Sequence, residues 1–195
     1  MFKLKVSERI SLGLLQPHHA EEVYSLVDAN REHLNEWLGW VHNIKSEDDY
    51  RETIIPMWLK QFADNDGFNA GIVYEGKVVG MISLHFINWK TKHTSIGYYL
   101  SKQYEGKGII SMCVRALLDY AFHDLELNKV EIQCAEANTR SRKIPEHLGF
   151  KQEGIHRDAE FINGHYNDIV TYSLLRKEWQ ENQNKKDERR LQRTK

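Results

Sequence analysis

Two glycines set two positions apart, Gly106 and Gly108, interrupt the stretch Leu100-Ser101-Lys102-Gln103-Tyr104-Glu105-Gly106-Lys107-Gly108-Ile109 between an extended apolar run and a strongly periodic one. Where such a turn opens a helix, it can hold an anion. The first amides of a helix have no internal partner, and the helix dipole adds positive potential there. Glycines let the backbone wrap a phosphate without Cβ clashes, so a pyrophosphate can rest on Gln103–Gly108. Strand-to-helix turns also use glycine pairs for conformational reasons alone, so the spacing by itself leaves both readings open. It does not match a P-loop (GxxxxGK[ST]) or the GxGxxG of a dinucleotide fold.

Other chemistry-bearing residue types form no comparable pattern. The ten histidines show no HExxH spacing and none stands beside a cysteine, so they read as scattered surface or partly buried residues, with no metal site expected. Cys113 and Cys134 lie within apolar patterns without CxxC spacing, as small core residues of a reducing cytosol would. Trp37, Trp40 and Trp58 either wall a cleft or pack in a core or interface.

The elements that must position these residues follow from periodicity. Ile10–Leu15 predicts a strand, and Pro17 opens a helix carrying Ala20, Val23, Tyr24 and Val27. Arg31–Trp40 predicts a second helix, and Ser46 with Asp49 the start of a third that reaches Phe62 or Ala63, disturbed by Pro56. Ala70–Tyr74 and Val78–Leu84 predict a hairpin, and Thr94–Leu100 another strand in which Gly97 implies a bulge or a close approach. The apolar residues from Ile110 to Ala121 keep helical spacing over Gly108–His123. Lys129–Ala135 alternates as a half-buried strand, Thr139–Leu148 is a short helix closed by Gly149, and Asn163-Gly164 joins the strands Lys151–Ile162 and His165–Leu175. This order predicts an α/β or α+β fold, a mixed sheet with helices on both faces.

The chain has 195 residues, 41% hydrophobic and 28% charged, with a net charge of -1. That suits one soluble domain over 1–179, and it gives no reason to expect DNA or an anionic membrane as partner. Neither a signal peptide nor a membrane span is expected, which implies a cytoplasmic protein. Residues 180–195 turn basic and polar, reading as a solvated, partly helical or disordered tail, or as a grip on RNA.

Gln103-x-x-Gly106-x-Gly108 resembles the signature of the GNAT acetyltransferases, at the strand-to-helix junction where that family carries it. Asn138-Thr139-Arg140-Ser141 and Leu148-Gly149-Phe150 resemble its ribosomal-protein alanine and serine N-terminal acetyltransferase branch. The resemblance covers roughly residues 2–179 and implies a GNAT fold, mostly antiparallel with splayed central strands. It implies acetyl-CoA as co-substrate, no metal, a homo-oligomer, and a pantetheine arm between the strands at 94–100 and 129–135. The implied donor contacts are Tyr99, Leu100, Gln103, Gly106, Lys107, Gly108, Ile109, Asn138 and Ser141, with a backbone N–H near Tyr99 or Leu100 on the thioester oxygen.

For catalysis the resemblance implies Glu160 as general base, directly or through water, and Ser141 as donor to the departing thiolate. Ser141 could instead cap its helix, Glu160 could be an exposed hairpin carboxylate, and Tyr98 or Tyr99 could supply the acid or simply pack. An α-amine, with a pKa of about 8, is partly neutral at pH 7 and needs modest help from a base, whereas a lysine near ~10.4 needs far more. The acceptor that the resemblance implies is the N-terminal amine of a protein, of the ribosomal class. A small-molecule amine, or a module that only binds acyl-CoA, remains open.

Overall fold

A computed structural model describes the backbone of residues 3–192 and the side chains through residue 184. Its strands are Lys3–Lys5 (β1), Ile10–Leu14 (β2), Phe68–Tyr74 (β3), Lys77–Leu84 (β4), His93–Leu100 (β5), Lys129–Ala135 (β6), Lys151–Ile162 (β7) and His165–Leu175 (β8). They form one sheet in the order β1-β2-β3-β4-β5-β6-β8-β7. Every neighbouring pair is antiparallel except β5 and β6, which run parallel. The helices are Ala20–Asp28 (α1), Arg31–Asn35 (α2), Ile55–Ala63 (α3), Ile109–Asp119 (α4), Thr139–Leu148 (α5) and Arg176–Gln192 (α6).

Two apolar clusters sandwich the sheet. On one face α4 buries Ile109, Cys113, Val114, Leu117 and Leu118 against strand residues such as Ile82, Ile96 and Ile132. On the other, Val23 and Val27 of α1, Leu34 of α2 and Ile55 of α3 pack with Val78 and Met81. Each fully buried aliphatic side chain contributes about 1.5–3 kcal/mol, so the α4 stripe is what anchors the anion turn before it.

Local chemistry sets the boundaries. Glu75 and Gly76 both take positive φ (49° and 85°), turning β3 into β4, and Asn163 and Gly164 do the same between β7 and β8 (52° and 81°). Both are the primed hairpin turn that matches strand twist. Asp49 accepts hydrogen bonds from the amides of Lys45 and Ser46 (2.7 and 2.9 Å), the reciprocal half of a capping box. Pro56 lacks an amide hydrogen, and the helix before it widens to a π-helical stretch, Asp49–Ile54, before tightening into α3.

Two expectations change. The helix expected over Arg31–Trp40 ends at Asn35; turns and a short 3-10 segment, Val41–Asn43, follow. No bulge occurs at Gly97: the β4–β5 register runs unbroken from Gly80 opposite Leu100 to Leu84 opposite Ile96. Gly97 serves instead a close approach, by the ring of His85. The end of the chain is helical through Gln192, continuous with the buried Trp179. Residues 193–195 and the basic side chains from Lys185 onward, on which the solvated or RNA-gripping tail was expected, lie outside the described residues.

Candidate active site

The sheet comes apart in the middle. β5 and β6 pair only over His93–Ser95 and Lys129–Glu131, then diverge. A cleft of about 1330 Å³ fills the opening and runs from the anion turn past α2 to β7. The edge groups of two strands are thereby left without a sheet partner, a place where a polar chain can bond.

Backbone alternation identifies the free donors. The amide of Ser101 donates to Val79 (2.8 Å) and that of His85 to Ser95 (2.9 Å), while Tyr99 faces Met81 in register. In an antiparallel ladder this directs the Tyr99 amide toward β4, and those of Tyr98 and Leu100 into the gap. The N–H available to an oxyanion is thus at Tyr98 or Leu100, not Tyr99, whose ring lines the cleft and meets Trp40 at 5.6 Å.

At one end of the cleft stands the anion turn. Gly106 and Gly108 have φ of 73° and 71°, the left-handed region that only glycine enters without cost. A Cβ on either would meet nothing within 4 Å, so an anion has room there. Gly108 is the N-cap of α4, and the first amide to bond back within the helix is Met112, to Gly108 at 3.1 Å, which leaves those before it unpaired. This geometry fits a pyrophosphate. Gly106, Gly108 and Ile109 line the cleft; Gln103 and Lys107 stand outside its lining, exposed, with the Lys107 ammonium 4.8 Å from the Tyr104 ring centroid. Glu105, between them, is held by His33 at 2.9 Å and Arg140 at 2.6 Å.

The β6 wall carries the second group. Asn138 caps α5, its side-chain oxygen accepting from the Ser141 amide at 3.0 Å. Capping is therefore the work of Asn138, and the Ser141 hydroxyl is free for another role. It lies 3.2 Å from the Tyr98 hydroxyl and 3.1 Å from the Cys134 sulfur, and Tyr98 donates to the Ser141 carbonyl at 3.1 Å. Burial drives the Tyr98 phenol far above its ordinary value and also raises the Cys134 thiol, so both stay protonated. Nothing in the sequence pattern signalled this triangle, because its members sit 36 or more positions from Tyr98 and meet only when β5 and β6 splay around α5.

Glu160, on β7, lines the same cleft. The β7–β8 register slips between His156 and Glu160, where Asp158 has φ 48° and its amide bonds the Asp168 carboxylate at 2.8 Å. Bulges re-aim side chains, and this one turns Glu160 inward. Partial burial raises its pKa above the ordinary carboxylate value, which brings it closer to the working range of a base. The hairpin tip closes over α2: Asn163 exchanges hydrogen bonds with Asn35 (3.1 and 2.8 Å). Trp37 lines the cleft beside it, whereas Trp58 packs on Tyr50 at 6.1 Å, away from the cleft lining. His33, His85 and His156 also line the cleft, three histidines that the sequence alone left scattered.

Residues 9–151 match the GNAT acetyltransferase domain family. The chain belongs to that family. YdaF of Bacillus subtilis (strain 168) is 47% identical over 180 residues, covering 92% of this chain and 98% of YdaF. The ribosomal-protein-serine acetyltransferase of Escherichia coli (strain K12) is 32% identical over 173 residues, covering 88% and 96%. Among solved structures, the microcin C7 self-immunity acetyltransferase MccE, in complex with acetyl-CoA and AMP, superposes with a TM-score of 0.83 at 26% identity, covering 88% of this chain and 94% of MccE. The protein is thus an acetyl-CoA-dependent N-acetyltransferase, and its mixed sheet opened at one parallel pair is the GNAT sheet.

Proposed function

We propose that this acetyltransferase modifies the N-terminal α-amine of a protein, with ribosomal proteins as the acceptor class. The observation that carries this is Glu160, a carboxylate of raised pKa that lines the same cleft as Ser141 and the free amides of β5. An amine that is already partly neutral at pH 7 needs only modest help from such a carboxylate. The 32% identity over most of the chain to a ribosomal-protein-serine acetyltransferase supports the acceptor class.

In this reading the diphosphate of acetyl-CoA rests on the amides opening α4, and the pantetheine arm follows the unpaired edge of β5. The thioester oxygen accepts from the amide of Tyr98 or Leu100 as charge develops on it. Glu160 takes a proton from the acceptor ammonium, directly or through water. The Ser141 hydroxyl, oriented by Tyr98, donates to the departing sulfur. A cytoplasmic location and a homo-oligomer belong to the same reading; the apolar side chains exposed on the edge hairpin, Phe161 and Tyr166, support the second.

The test is acetyl transfer to a tetrapeptide with a free N-terminal serine, set against spermidine, with released CoA as the readout. Preference for the peptide is expected. Turnover of spermidine alone would replace the protein acceptor by a small-molecule amine.

A further inference from the structure

His85 follows directly on β4 and is fixed by β5 from both sides. Its amide donates to the Ser95 carbonyl (2.9 Å) and its carbonyl accepts from the Thr94 hydroxyl (2.7 Å). Nδ1 lies 3.2 Å from the Ser95 hydroxyl. The ring then lies flush on Gly97: a Cβ there would stand 2.5 Å from Cε1 and 2.7 Å from Nε2. Only glycine permits that placement. Gly97 immediately precedes Tyr98, whose amide faces the gap, so the imidazole sits over the stretch of β5 where the thioester would be held.

The residue is open to the cleft on one edge, yet its ring has lost enough water for burial to lower its pKa below the usual histidine value. A neutral imidazole near pH 7 is a proton acceptor. Other titratable groups line the same cleft, among them His33 and Glu36 from the α2 side, Tyr98 and Tyr99 of β5, and His156 and Glu160 of β7.

The reaction needs such a group. An ammonium must lose two protons to become an amide. The first leaves before attack and exposes the lone pair; the second leaves the nitrogen of the tetrahedral adduct after the C–N bond has formed. The C–S bond then breaks, one proton ends on the CoA sulfur, and the other goes to solvent. Glu160 accounts for one proton acceptor and Ser141 serves the sulfur.

We propose that Nε2 of His85 accepts the second proton, from the nitrogen of the adduct, and returns it to solvent through the open edge of the cleft. Nδ1–H then donates to the Ser95 hydroxyl, which leaves the lone pair of Nε2 for the substrate. This assignment rests on the N-acetyltransferase reading and extends it to a second base on the opposite wall.

The experiment compares wild type, His85→Ala, His85→Gln and Gly97→Ala in the full-length protein, with acetyl-CoA and either the serine tetrapeptide or spermidine. In both His85 variants kcat falls about 100-fold, the loss typical of a proton-transfer group, while the KM for acetyl-CoA and its thermal protection stay unchanged. The acidic limb of the pH–rate profile that titrates below the usual histidine value disappears. Added imidazole restores part of the His85→Ala rate, in proportion to its neutral fraction. Gly97→Ala, which displaces the ring, lowers kcat in the wild-type background and adds little to His85→Ala. Wild-type kcat in His85→Ala overturns the role, and so does a loss that imidazole does not restore and that leaves the pH profile as it was. Wild-type protein that acetylates neither probe overturns the acceptor reading of the proposed function, a failure distinguishable from the first.

Discussion

The guanidinium of Arg140, at the start of α5, lies 2.6 Å from the carboxylate of Glu105 in the anion turn, and the same carboxylate holds His33 of α2 at 2.9 Å. One acidic side chain thus ties together three elements around the proposed diphosphate site. The carboxylate opposes an anion electrostatically, and it occupies the arginine that would otherwise attract one. Glu105→Gln should therefore lower the KM for acetyl-CoA, by roughly 3- to 10-fold at low salt, with the gain shrinking as salt screens it. Calorimetric titration of acetyl-CoA at two ionic strengths checks this; an unchanged or weaker affinity would show that Glu105 does not face the phosphates.

Gly106→Glu places a β-carbon at a positive φ and a carboxylate at the anion site. The backbone term alone costs about 1–2 kcal/mol. Acetyl-CoA protection in a thermal-shift assay should vanish at donor concentrations that protect wild type, while the unliganded protein melts only a few degrees lower. Equal protection in the variant would move the diphosphate away from this turn.

Glu160→Gln should lower kcat/KM by about 100-fold at pH 7 and by much less at pH 9, where an α-amine is neutral without help. An equal loss at both values would remove Glu160 as the base. Stability should move the other way. The folded state raises the Glu160 pKa, so it binds that proton more tightly than the unfolded chain does. The carboxyl therefore favours folding below its unfolded pKa and loses that contribution as pH rises through the folded value. Glu160→Gln should melt higher than wild type at pH 7, with the difference gone by pH 4.

Ser141→Ala removes the hydroxyl that meets both Tyr98 and Cys134. A roughly tenfold or greater fall in kcat is expected, with little change in the KM for acetyl-CoA. Tyr98→Phe should cost less, and the double variant little more than Ser141→Ala, because the phenol acts through the serine. Full additivity would mean that the two act independently.

The elements were legible where a single local rule governs them. Asn163-Gly164 specifies its hairpin, and the apolar spacing of Ile110, Cys113, Val114 and Leu117 specifies α4, because both depend on neighbours in sequence. Arg31–Trp40 misled because Trp37 and Leu38 keep helical spacing although the chain turns after Asn35 to let Trp37 reach the cleft. Gly97 was ambiguous for a related reason: a glycine in a strand marks either a bulge or a neighbour pressed close, and the neighbour, His85, comes from just beyond the end of another strand. The anion turn is contiguous and could be read directly. The Ser141, Tyr98 and Cys134 triangle, the inward turn of Glu160 and the three cleft histidines exist only after the sheet has folded.

The α2 segment spans the site on two partly exposed polar straps, Asn35 to Asn163 at one side and His33 to Glu105 at the other, with Leu34 as its buried anchor. Such contacts are weak in water, and a five-residue helix has little cohesion of its own. Fraying of this short bridge would uncover both halves of the cleft while the eight strands stayed paired. Substrates could then come and go at the tempo of a moving loop, and the machinery beneath would keep its shape from one turnover to the next.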